Sequence, residues 1–214
     1  MRRFALALGL LALSLLIGPP VWAQEAVGHV ERQKGAASRV VAAGANDLAQ
    51  GSQVFIGDEI RTGPDARLLI RFDDESALTL GENARLSIDE FVYVKNGGSR
   101  QALAIAQGVF RFATGQIGKL RPSDIAFTTP VAAVGIRGTV FLGGELTVGM
   151  PPGQPHYGFQ VSEGAIEVIS PVGSVVLDEP GEGTFLPLTR VAAPTPVRQW
   201  TEAEAAEAEA ALAF

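Results

Sequence analysis

Between about residue 27 and residue 188 the chain alternates apolar and polar positions in short runs, each closed by Gly, Pro or an acidic pair. Ser52-Gln53-Val54-Phe55-Ile56, Arg67-Leu68-Leu69-Ile70-Arg71-Phe72, Ala77-Leu78-Thr79-Leu80, Arg85-Leu86-Ser87-Ile88 and Gly158-Phe159-Gln160-Val161 are the clearest. Successive side chains of a strand point to opposite faces, so Leu68, Ile70 and Phe72 share one face and Arg67, Leu69 and Arg71 the other. Helical spacing is hard to find in this body. Short alternating runs with turn residues between them predict an all-β domain.

A degenerate echo runs through these segments. Leu103 to Phe112 and Phe159 to Val168 both read as a strand, a polar residue with Gly, and another strand, and Val30 to Gly35 is a fainter copy. Gly57-Asp58-Glu59-Ile60-Arg61-Thr62-Gly63 and Gly135-Ile136-Arg137-Gly138-Thr139 share an Ile-Arg step beside Thr and Gly. Repeated short strands with glycine corners suggest a β-solenoid-like or β-roll-like stack, with a twisted β-sandwich as the alternative.

The ends differ from the body. Arg2 and Arg3 precede an apolar run from Phe4 to Ile17, then Pro19 and Pro20, then Val21-Trp22-Ala23. This is the pattern of a secretory signal peptide (residues 1–23) cleaved after Ala23, and the run is shorter than the roughly 20 residues of a spanning helix. The β domain is expected over 24–190. Residues 191–199 hold Pro194 and Pro196 and read as an extended spacer. From Trp200 to Phe214 the chain is Ala- and Glu-rich, with Thr201 and Glu204 spaced as a capping box. A short helix is expected there, and with few large apolar residues to dock, a solvated tail is the plainer reading.

Charge and composition narrow the function classes. The chain has 17 Lys+Arg against 23 Asp+Glu, and loss of Arg2 and Arg3 leaves 15 against 23, a net charge of −8. Scattered bases on an acidic chain argue against nucleic-acid binding and against retention on anionic lipid. No stable membrane insertion is expected after cleavage of the leader. There is no cysteine, so disulfides, thiolate metal sites and a lipobox are excluded. A periplasmic or secreted protein follows, without cofactor or metal.

Two stretches are specific enough to carry a family resemblance. Val54 to Ser76 contains Gly57, Asp58, Ile60, Thr62 and Gly63, then Phe72, Asp74 and Ser76; Thr129 to Phe141 contains Thr129, Pro130, Gly135, Ile136, Arg137, Gly138 and Thr139. Together they resemble the FecR domain, whose pattern is roughly GD-x-I-x-TG, F-x-DGS and TP-x-A-x-x-GIRGT. The resemblance covers about residues 50–145. It implies an exported β domain, solenoid-like, that contacts other proteins. The sensor typical of the family also resembles an anti-sigma factor with one membrane span. Here a leader stands in place of that cytoplasmic part, so direct contact with a sigma factor is not expected. Asp74-Glu75-Ser76 replaces Asp-Gly-Ser, and Glu tolerates positive φ poorly, so this turn must change type or absorb strain.

Within GIRGT, Arg137 is expected on a strand face beside Gly135 and Thr139, its guanidinium bridging backbone carbonyls and one carboxylate. Asp58, Asp74 and Glu163 are the candidate partners. A structural Arg137 in a buried pair is the leading reading, and an anion or partner contact the other. Catalytic candidates are sparse. His29 and His156 lack metal-ligand spacing, no Gly-x-Ser-x-Gly elbow is present, and Asp73-Asp74-Glu75 reads as a polar turn before it reads as an acid–base pair. Phe91 with Tyr93, and Phe110 with Phe112, suit core packing before a sugar platform. The expected function is a non-enzymatic protein-interaction or signal-relay module binding another envelope protein. The alternatives are a glycan or peptidoglycan binder and a solenoid-type carbohydrate-active enzyme.

Overall fold

A computed structural model describes residues 25–41, 44–94, 98–148 and 156–214. The signal peptide expected over residues 1–23 lies outside the described residues. The alternating runs form β1 (Ala26–Lys34), β2 (Ala37–Val41), β3 (Gly44–Asp47), β4 (Gln53–Phe55), β5 (Glu59–Thr62), β6 (Arg67–Phe72), β7 (Ala77–Leu80) and β8 (Arg85–Val92). They continue as β9 (Arg100–Gln107), β10 (Phe110–Ala113), β11 (Ile125–Thr128), β12 (Ala133–Leu146), β13 (His156–Ser170), β14 (Gly173–Leu177), β15 (Glu182–Pro187) and β16 (Arg198–Gln199). A short helix α1 (Gln116–Leu120) and a single 3-10 turn (Pro122–Asp124) link β10 to β11, and α2 (Glu202–Leu212) closes the chain.

The sixteen strands among the described residues belong to one curled sheet, ordered β3-β2-β5-β8-β9-β11-β12-β10-β7-β6-β1-β4, with β13 joining β12 to β14 and β15, and β15 to β16. The first half of β12 pairs with β11 and its second half with β10. Strand β13 follows it along nearly its whole length and divides its other edge in the same way, pairing first with β15 and then with β14. This long pair is therefore the hinge line between two wings. Among these ladders only β9–β11 is parallel. A stacked coil would repeat that arrangement at every turn. The proposed echo is not one structural unit either: Gly108 separates two strands, whereas Gly164 lies inside β13.

The wings close on one continuous core. Period-two alternation predicts its members: Leu68, Ile70, Phe72, Leu78, Leu80, Leu86 and Ile88 are buried, as are Phe110, Phe112, Phe127 and Phe141. Phe110 and Phe127 lie 5.0 Å apart between ring centroids, and Phe72 stacks on Phe91 at 5.5 Å. Each fully buried side chain of this size is worth about 1.5–3 kcal/mol relative to exposure.

A second, smaller cluster corrects the reading of the C-terminus as a solvated tail. Ala208 and Leu212 of α2 are buried with Trp200 against Leu142, Leu146 and Phe185. Gly81 lets the helix backbone approach closely: a Cβ there would sit 2.9 Å from the Ala211 carbonyl oxygen. Polar contacts do the rest. Thr201 and Glu204 form the capping box, and Arg198 reaches both Glu204 carboxylate oxygens at 2.8 and 2.6 Å. That pair, with the Thr201 hydroxyl and backbone N–H, holds the Glu204 pKa at about 2. Glu207 accepts the Thr147 and Val148 backbone N–H groups, both at 2.9 Å, and Arg111 pairs with Glu209. The proline segment is likewise strapped down rather than a free spacer, because Thr195 exchanges backbone and hydroxyl bonds with Phe185 and Thr184 along β15.

Candidate functional site

Most of the singled-out motif residues fasten turns. Gly57 takes φ +83° at the β4–β5 turn, which lets Asp58 fold back. The buried Asp58 carboxylate accepts the Phe55 N–H at 2.9 Å and an Arg39 N–H at 3.3 Å, and the Arg39 guanidinium also lies over the Phe55 ring. Ile60 is core. The Thr62 hydroxyl donates to the Gly81 carbonyl at 2.7 Å and accepts the Ala84 N–H at 2.8 Å, while the Gly63 N–H donates to the Ala36 carbonyl. In this way β5 is pinned to neighbouring turns.

Asp74 is the most enclosed of these groups. One carboxylate oxygen accepts the Ser76 N–H at 3.0 Å and the Ser76 hydroxyl at 2.5 Å. The other accepts the Ile117 N–H at 3.2 Å, which ties the β6–β7 turn to α1. Glu75 adopts φ +68°, so this turn absorbs the strain that glycine would avoid. Asp73 and Glu75 are exposed while Asp74 is buried, so the three carboxyls do not converge. At the β11–β12 turn, Thr129 and Ala132 exchange two backbone and hydroxyl bonds across Pro130.

The GIRGT segment marks where β12 passes from one wing to the other. Its register with β13 shifts between Arg137 and Val140. Gly138 takes φ +58°, and opposite it a Cβ at Gly164 would lie 2.1 Å from the Gly138 carbonyl oxygen, so the crossing needs both glycines. Thr139 holds the kink. Its hydroxyl donates to the Ala165 carbonyl at 2.6 Å and accepts the Arg137 N–H at 3.3 Å. The Thr114 hydroxyl accepts the Thr139 N–H at 3.0 Å and donates to the Thr139 carbonyl at 2.8 Å.

Arg137 itself overturns the expectation of a buried pair. Its side chain is exposed, and among the described residues no carboxylate lies within ion-pair distance. Of the three expected partners, Asp58 serves Arg39, Asp74 serves Ser76 and Ile117, and Glu163 is exposed. The physical reason is strand parity. Val134 and Ile136 face the core, so Arg137 faces outward with Ala133 and Gly135. Small neighbours there do not make room for a bridge; they leave the surface open. Arg137 lines a shallow cleft of about 270 Å³ with Gly135, Ala165, Glu167, Val176 and Ser123. The floor is Gly135 and Ala165, the register partners of Glu167 and Arg137.

Sequence reading missed Thr114, Gly164, Arg39 and the β13–β14 side of the cleft. None lies in the two family stretches, and only the pairing of distant strands brings them in. The aromatic pairs follow expectation: Phe91, Phe110 and Phe112 are buried and Tyr93 packs against the core.

The family model described as FecR protein matches residues 58–167. Two crystal structures of a "putative anti-sigma factor" from Parabacteroides distasonis ATCC 8503 are similar at 15% and 16% identity, each with a TM-score of 0.48. Each similarity covers 67% of this chain and 59% of that one. Among curated proteins none matches the chain.

Proposed function

The chain belongs to the FecR family, and we propose that it acts in the cell envelope as a non-enzymatic protein-interaction module that relays a signal between proteins. One observation carries this reading: the family's GIRGT arginine is held outward, without an ion pair among the described residues, on a strand kink fixed by Thr139 and Thr114. A guanidinium presented this way suits a carboxylate or carbonyl array on another protein, because its five donors are set in a rigid fork. The export leader supports an envelope location. The motif residues Gly57, Asp58, Thr62, Asp74, Ser76, Gly138 and Thr139 are scaffold in this proposal and Arg137 is the contact. A glycan binder would use exposed rings, and Phe91, Phe110 and Phe112 are spent on the core. An acid–base enzyme would need converging carboxyls, and Asp73, Asp74 and Glu75 diverge.

The test is in-cell crosslinking of the tagged mature protein, with mass spectrometry of the products, for wild type and Arg137→Ala. One dominant protein partner is expected. The variant is expected to melt like wild type and lose that partner. Retention of the partner by the variant removes Arg137 from the contact, and glycan fragments alone shift the function to wall binding.

A further inference from the structure

The free edges of the sheet are not alike. Strand β3 ends one path with Gly44, Ala45, Asn46 and Asp47, β4 ends the other with three residues, and β16 has two. Short or polar edges resist pairing with foreign strands. Strand β14 has five residues and, among the described residues, bonds only to β13. From Ser170 to Leu177 the chain carries no charged side chain, and Val176 of β14, with Ile169 and Val172 beside the strand, is exposed (51%, 42% and 61%). Such an edge is a template for an added strand.

The two faces of β14 define what would fit. Val175 and Leu177 turn inward, Leu177 fully buried and Val175 packed on the core. Val176 turns outward as the register partner of Glu167, and the Ser174 hydroxyl donates to the Glu167 carboxylate at 2.9 Å, so that carboxylate leans over the strand. Asp178 and Glu179 follow immediately, both exposed. An incoming strand therefore meets Val175 and Leu177 on its inner face, and on its outer face Ile169 and Val176 together with the Glu167 carboxylate, with Asp178 and Glu179 just beyond.

We propose that the β14 edge accepts an extended segment of another envelope protein, with apolar residues on its inner face and Lys or Arg on its outer face. A second copy of this chain fits poorly. Its own β14 offers no base, and pairing would bring Glu167, Asp178 and Glu179 of two acidic chains together. The inference rests on the interaction-module reading and names the partner's form.

The test places a photo-crosslinking residue at Val172 in the full chain, a second at Ala133 on the Arg137 face, and uses Val176→Lys as the block. Val176 is exposed and faces Glu167, so this lysine is expected to leave melting unchanged while protecting the edge. The expected result is a Val172 product whose crosslinked peptide is an alternating strand bearing Lys or Arg, lost in Val176→Lys. A product with a second copy, with a helix or with glycan overturns the inference, as does a product that Val176→Lys leaves unchanged. A product from Ala133 alone overturns the edge proposal and leaves the module reading standing. Products from neither position remove both.

Discussion

Two turn-forming parts of the same motif set use charge in opposite ways. At the β6–β7 turn, Asp74 is wholly enclosed and each of its carboxylate oxygens is occupied by N–H or O–H donors. At the β12 kink the charged residue is outside and neutral hydroxyls do the fastening. A buried charge must be satisfied or it costs several kcal/mol, so Asp74 can only be scaffold. A charge left in water costs nothing to keep, so Arg137 is free to meet something else. The lesson is that membership of a motif does not assign one role to all its residues.

The sharpest break in that comparison comes from Asp74→Ala. It strands the Ser76 and Ile117 N–H groups and is expected to cost about 3–5 kcal/mol in chemical denaturation. A loss below about 1 kcal/mol would mean water replaces the carboxylate and the clamp is not one. The docked helix supplies a second large effect, through pH. Glu204 titrates at about 2 when folded and at the ordinary 4.5 when free, so its contribution is complete above about 4.5. That contribution fades as pH falls from there toward 2, because protonation then favours the undocked state. Glu204→Gln should flatten this part of the stability profile, and an unchanged acid slope would assign it to other carboxylates.

Thr139→Val tests the kink. It keeps the shape and removes one hydroxyl with two partners, for an expected loss of about 1–3 kcal/mol. Glu75→Gly runs the other way. It removes positive-φ strain worth about 1–2 kcal/mol and gives back part through backbone entropy and the Gln116 bond, so a net gain of about 0.5–1 kcal/mol is expected in melting. Arg137→Ala is the smallest on stability, within about 0.5 kcal/mol. If it unfolds the domain, the contrast with Asp74 collapses and the arginine is scaffold after all.

Strand existence and core membership were legible because period two is a local property: the residues themselves say which face is apolar, as Leu68, Ile70 and Phe72 do. The turn chemistry of Asp58 and Asp74 was partly legible, since a short carboxylate bonds N–H groups only a few residues away. Arg137 was misjudged because its surroundings are set by β13 and β14, tens of residues distant. The helix itself and its capping box were legible, but its docking was not, because its anchors, Arg198, Phe185 and Leu146, lie outside it.

By itself, the sequence determined the all-β character, the acidic cysteine-free composition, the capping box at Thr201 and the family motifs. These depend on neighbours along the chain, and alternation, propensity and turn geometry act over that range. Only the tertiary structure decided that β12 serves two wings, that α2 docks, that Arg137 faces water and that β14 is an open edge. Each of these depends on which distant strands pair, and pairing is chosen by burial of the whole apolar face rather than by any one segment.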